Sequence, residues 1–177
     1  MKNTLVFALM LLAGQAQQAL AQKSTVSSSP VADATRSFLQ REGKNLIAAA
    51  EEMPADKYDF HPTPEQMTFA HLMSHIAHSN RMLCSGIAGE AAPKETGVTD
   101  RDGKEKLVAD VKASFDYCSS ALAGVDDSRL AEEVPPFHRS RANAMMSLAA
   151  DLADHYSMAA SYLRLNGLLP PTAQRKK

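Results

Sequence analysis

Apolar residues recur at helical spacing in four stretches of the chain, separated by segments rich in proline, glycine and polar residues. The first stretch runs from Val31 to Met53, with Phe38, Leu39, Leu46, Ala50 and Met53 on one side, and Pro54 ends it. Tyr58 to Pro64 reads as a loop. Thr63 as N-cap, Pro64 at the first helical position and Gln66 three residues after the cap predict the start of a second helix. Its stripe is Phe69, Leu72, Met73, Ile76 and Leu83, and it should end near Gly86 or Gly89. Residues 90–101 read as loop. Asp102 followed by Glu105 predicts a second capping box, opening a third helix with Leu107, Val111, Phe115, Cys118 and Leu122 on one face. After a loop over 124–136, a fourth helix is expected from Ser140 to Leu165. Met145, Leu148, Leu152, His155, Ala159 and Tyr162 share its stripe. Asn166-Gly167 gives its C-cap, and Pro170-Pro171 stops it. No strand-like alternation and no internal repeat stands out. The expected fold class is therefore all-α, a four-helix bundle of up-down type over residues 31–172.

The chain start follows another pattern. Met1-Lys2-Asn3-Thr4 is a short positive lead, Leu5 to Ala13 is apolar, and Ala19-Leu20-Ala21 places small residues at a cleavage site. That is the layout of a secretory signal peptide, and the apolar run is shorter than the roughly 20 residues of a spanning helix. Cleavage after Ala21 is expected, leaving 22–30 as a flexible polar lead and 173–177 as a basic tail. The expected location is outside the cytoplasm, periplasmic or secreted, with no membrane attachment after cleavage.

Charge narrows the partners. Among 177 residues, 19 Lys and Arg oppose 20 Asp and Glu, a net charge of −1, so a nucleic-acid footprint is missing. Removing residues 1–21 takes Lys2 and no acid, which leaves net −2. Two cysteines exclude a disulfide-dense scaffold. In an oxidising compartment Cys84 and Cys118 are expected to bridge, closing a loop of about 33 residues worth 3–4 kcal/mol. The alternatives are two separate buried thiols or a thiol nucleophile. The nucleophile ranks last, because neither Cys has a histidine at helical contact spacing. Met73, Met82, Met145, Met146 and Met158 could suggest a soft copper site, but methionine at helical spacing is more often core filler.

In a helical bundle, chemistry is built from polar side chains that point inward. His155 lies in the middle of the fourth apolar stripe, with Asp151 one turn earlier on the same side. An imidazole and a carboxylate at i and i+4 can share one metal ion; the plainer reading is a buried histidine bonded to the aspartate or a carbonyl. His75 borders the second stripe, and His71 and His78 lie further towards solvent. His71 and His75 at i and i+4 form another potential chelating pair. His61 and His138 carry no assigned role.

Two segments resemble the DinB-like (DinB/YfiT) family of four-helix-bundle metalloenzymes. Thr68-Phe69-Ala70-His71-Leu72-Met73-Ser74-His75-Ile76 is similar to the family's entry to helix two, a Ser or Thr followed by apolar positions and a histidine. His155-Tyr156-Ser157-Met158-Ala159-Ala160-Ser161-Tyr162-Leu163-Arg164-Leu165-Asn166-Gly167 resembles its final helix. The signal peptide and Ser114-Phe115-Asp116-Tyr117-Cys118 resemble the exported branch. The likeness implies a divalent metal held by one residue of helix two and two of the last helix, four residues apart. Carried over, these positions are His75, Asp151 and His155. Asp151 stands where the family usually has His, and Ser157-Met158 where it often has Gly and an amide or His. Asp151 can complete a two-His, one-carboxylate site suited to zinc, iron or manganese, with nickel also considered; otherwise the site has decayed.

Two functions follow from this reading. One is a metal-dependent enzyme of hydrolase or thiol-dependent transferase type, acting on a small-molecule substrate. The other is a non-enzymatic exported bundle, a small-ligand binder, stress protein or interaction module, with a homodimer compatible with it.

Overall fold

The structure is a computed structural model that describes residues 27–136 and 138–174. The signal-peptide segment 1–21, most of the polar lead and the end of the basic tail lie outside the described residues. Four long helices form the bundle: α1 (Pro30–Glu52), α2 (Phe69–Ala88), α3 (Lys104–Ala121) and α4 (Arg141–Leu165). The predicted stripes become the core. Leu39, Leu46, Ala50 and Met53 of the first stripe are buried, as are all the residues named for the other three. Phe38 alone is half-buried, with the Arg41 guanidinium 4.5 Å over its ring. Met73 and Met145 are core residues, whereas Met146 is 72% exposed.

The helix ends show which local signals won. Pro30 occupies the first position of α1, where a missing N–H costs nothing. The following amides, Val31 and Ala32, donate to the two carboxylate oxygens of Asp127 at 2.9 Å each. Lys104 Nζ covers the other end of α1 by donating to the carbonyls of Glu51 at 2.6 Å and Met53 at 2.8 Å.

The start of α2 corrects an expectation: its N-cap is Thr68, whose hydroxyl accepts from the His71 amide at 3.0 Å, and not Thr63. The stretch before it folds back instead, with the Phe69 amide donating to Phe60 O and the Ala70 amide to Tyr58 O. The second predicted capping box also fails. Gly103 is the N-cap of α3, and Asp102 spends its carboxylate on the Thr99 amide and Lys106. Ser140 caps α4 as expected, accepting from the Asn143 amide. Gly89 and Gly167 close α2 and α4 with φ of 78° and 76°, a conformation glycine adopts without strain. The loop before α4 holds a two-stranded antiparallel ladder, β1 (Glu133–Val134) with β2 (Arg139–Ser140). Two residues per strand are too few for sequence alternation to reveal.

Helix α1 packs against α3 and α4, and α2 against the same two. Paired residues give the directions. Along α2 and α3, Arg81 meets Asp110, Asn80 meets Ser114 and Cys84 meets Cys118, so the two run parallel. Along α2 and α4, His75 meets His155 while Ser79, Met82 and Leu83 face Ser147 and Asp151, so these are antiparallel. The expected alternation of direction thus holds from α1 to α2 and from α3 to α4, with α2 and α3 sharing one direction. The connection Gly89–Gly103 makes this possible. Fifteen residues reach about 50 Å when extended, more than the roughly 30 Å length of α2.

Parallel α2 and α3 also bring together two cysteines that are each late in their helix. The Cys84–Cys118 disulfide forms with a Cα separation of 5.3 Å, and no free cysteine remains among the described residues. Below it, Arg81 and Asp110 are both buried and joined at both carboxylate oxygens, by Nη1 at 3.2 Å and Nη2 at 2.7 Å. Among the described residues no helix is long and apolar enough to cross a membrane.

Candidate metal centre

His155 arrives in the interior because it belongs to the buried face of α4, in register with Leu148, Leu152 and Ala159, and it is 4% exposed. Asp151 is one turn earlier and half-buried. His75 comes across from α2, and its ring meets that of His155 edge-on, with centroids 5.0 Å apart and planes at 75°. One ligand atom from each of His75, Asp151 and His155 lies within 4.8 Å of the other two. The three residues expected to converge therefore do so, from two helices.

The local bonding separates a metal site from an ordinary buried His–Asp pair. His155 Nδ1 and Asp151 Oδ2 are 3.2 Å apart. Both atoms are buried, and neither has a hydrogen-bond partner. The proximity is that of a hydrogen bond but the alignment is not. A histidine held simply as a donor to its aspartate would point its N–H at the oxygen. Two orphaned buried ligand atoms beside a second imidazole fit a shared cation, since an unpaired buried polar atom is otherwise costly. Two imidazoles and a carboxylate suit zinc, iron or manganese.

His75 has a depressed proton affinity. Burial is the main cause and the neighbouring His155 the next, against the opposing pull of Asp151. A neutral imidazole is the form that ligates a metal. Its Nε2 also lies 3.4 Å from the hydroxyl of Ser79, one turn on and buried. Ser79 carries one sequence signal, its i, i+4 spacing from His75, and no apolar pattern marks it out.

Two clefts flank the triad. One, of about 320 Å³, is lined by His75 together with His71, His78 and the returning loop at Thr96–Asp100. The other, of about 210 Å³, is lined by Asp151, Ser79, Met82 and Ser147. The alternative chelating pair His71/His75 does not form: His71 is exposed and joined to Asp100 at 3.1 Å. His78, equally exposed, is joined to Glu95 at 3.1 Å. His61 Nδ1 contacts the Thr63 carbonyl and His138 contacts Glu133, and neither belongs to the converging group of ligand atoms.

An all-helical bundle with two imidazoles and a carboxylate gathered in its interior defines the class. The chain belongs to the DinB superfamily, whose family model matches residues 39–159. Among solved structures, it is similar to a DinB-like protein from Bacillus subtilis, with a TM-score of 0.66 and 21% identity over 80% of this chain and 99% of that one. A DinB-like protein from Bacillus cereus matches with a TM-score of 0.62 and 18% identity, over 76% and 93%. A conserved protein from Enterococcus faecalis matches with 0.61 and 17%, over 75% and 95%. At these identities the likeness establishes the shared fold. No curated protein matches the chain.

Proposed function

We propose that the protein is an exported, metal-dependent enzyme of hydrolase or thiol-dependent transferase type, holding a divalent ion on His75, Asp151 and His155. The observation that carries this reading is the pair of buried, unpartnered atoms His155 Nδ1 and Asp151 Oδ2, 3.2 Å apart, with His75 reaching them from α2. A bound divalent ion would lower the pKa of a coordinated water or thiol and so supply a nucleophile at neutral pH. The residues of the chain do the rest. Burial keeps His75 neutral, the i, i+4 geometry of α4 fixes Asp151 against His155, and the flanking clefts admit a small substrate. The family's usual third histidine is replaced here by a carboxylate, which removes one neutral ligand and adds a negative charge to the site. The disulfide supports the exported location, since such bonds persist in oxidising compartments.

Metal analysis of protein purified without a histidine tag tests the reading. Close to one ion per chain is expected after incubation with zinc, iron, manganese or nickel and dialysis. His155→Ala and Asp151→Ala should lose it, whereas His78→Ala should keep it, because that exposed ring is turned to Glu95 and is not one of the three converging groups. A wild-type chain that retains no ion from any of these metals refutes the metal centre and leaves the non-enzymatic binding module. The intact mass of the exported protein should begin at Gln22; a mature chain that keeps Met1 refutes export.

A further inference from the structure

About 15 Å along α4 from Asp151, at ten residues' distance, the helix begins with a buried arginine. Arg141 is 4% exposed and forms the floor of a cavity of about 250 Å³, between the end of α2 and the connection after α3. Gly124, Asp126, Ser128 and Arg129 make its wall, and all four are exposed, so the cavity is reachable from solvent. The guanidinium at the floor is poorly paired. Its Nε is buried with no hydrogen-bond partner, and its Nη2 reaches Glu132 Oε2 only at 3.4 Å. Glu132 is already engaged by Arg129, through Nε at 2.7 Å and Nη2 at 2.7 Å. One carboxylate therefore serves two guanidiniums. Asp126, the other acid on the wall, accepts from the Ser128 amide at 2.9 Å and from the Ser128 hydroxyl.

A guanidinium cannot escape burial by losing its proton, so an incompletely paired one is costly unless an anion completes it. The Nε–Nη2 edge is the planar fork that fits two oxygens of one carboxylate. We propose that this cavity binds the carboxylate of a small organic acid, with Arg141 as the principal contact and Arg129 and Ser128 at its mouth. Asp126 on the same wall repels a dianion, so a monocarboxylate is preferred over phosphate. The site is separate from the metal triad and does not depend on its occupancy.

The test uses the full mature chain, uniformly ¹⁵N-labelled, and follows the Arg141 Nε–H resonance. Acetate, propionate or inorganic phosphate is added to tens of millimolar at ionic strength held constant with chloride. The expected result is a saturable shift with acetate and propionate, a several-fold weaker response to phosphate and none to chloride. Arg141→Lys, which keeps the charge and removes the fork, should abolish saturable binding while the far-ultraviolet circular dichroism stays native. Arg129→Gln should weaken it several-fold. An Arg141 Nε–H that does not move with either carboxylate overturns the proposal, as does undiminished binding in folded Arg141→Lys. Tighter binding of phosphate than of propionate overturns the monocarboxylate preference. Should Arg141→Lys fail to fold, the wild-type titration decides alone.

Discussion

Reducing the Cys84–Cys118 bridge gives a stability change that can be worked from the fold. The two residues are 34 apart in sequence, and their Cα atoms sit 5.3 Å apart across parallel helices. The same interface is independently held by Asn80 on Ser114 and Arg81 on Asp110. The helices therefore keep their register without the bond, and its main effect falls on the unfolded chain. The chain-entropy relation for a 34-residue loop gives about 3.8 kcal/mol at 25 °C. For a domain of this size that corresponds to a drop of roughly 8–15 °C in midpoint. The cleanest comparison refolds the wild type with and without reductant and measures urea and thermal unfolding at one pH. Cys84→Ala/Cys118→Ala should lose somewhat more, because both sulfurs are fully buried and their packing is lost too. A difference of less than about 1 kcal/mol between oxidised and reduced wild type would refute the reasoning. It would mean that the unfolded chain is already restrained near residues 84 and 118.

Asp110→Ala should cost about 3–5 kcal/mol in urea unfolding, since it strands the buried Arg81 guanidinium. Arg81→Met/Asp110→Leu should recover most of that, and a mild single variant counts against the pair as a buried ion pair. Gly86→Ala places a Cβ 2.2 Å from the Pro135 carbonyl oxygen, so a loss of about 1–3 kcal/mol is expected; a neutral variant would show that the α2–Pro135 contact yields freely. In chelator-treated protein, the lowered pKa of His75 makes the unfolded chain the better proton acceptor. Its contribution to stability is full above about 6.5, falls as pH drops through that value and levels off below the folded-state pKa. His75→Gln should flatten that part of the stability–pH curve, and an unchanged curve refutes the assignment.

The bundle was legible because four apolar stripes survive intact, from Leu39–Met53 to Met145–Tyr162. The direction of α3 was not, since it depends on how a fifteen-residue loop returns, and a loop carries no periodicity. Thr63 and Asp102 show the limit of capping rules. Each matches a cap pattern, yet the first amides of α2, at Phe69 and Ala70, bond back to the Phe60 and Tyr58 carbonyls, and the turn at Thr99 holds Asp102. In the site, Asp151 and His155 could be paired from spacing alone, because one helix fixes both. His75 could be assigned only from the family likeness, because its partner lies 80 positions away. Arg81, Asp110 and Arg141 gave no signal: a charged residue reads as solvent-facing until a neighbouring helix covers it.

The cap of α1 has a consequence for the order in which the chain assembles. Its amides at Val31 and Ala32 are satisfied by a carboxylate 95 and 96 residues further on. At about 5–20 residues per second, Asp127 leaves the ribosome roughly 5–20 s after them. Until then the first turn of α1 has only water for its leading N–H groups, and a helix start without a cap frays. Arg36 waits for the same stretch, since its guanidinium binds the carbonyls of Leu122 and Val125. Helix α1 therefore consolidates late, after most of the protein has been made. Under the export proposed above, a first helix that cannot lock early would keep the leading segment threadable until the whole bundle can close around it.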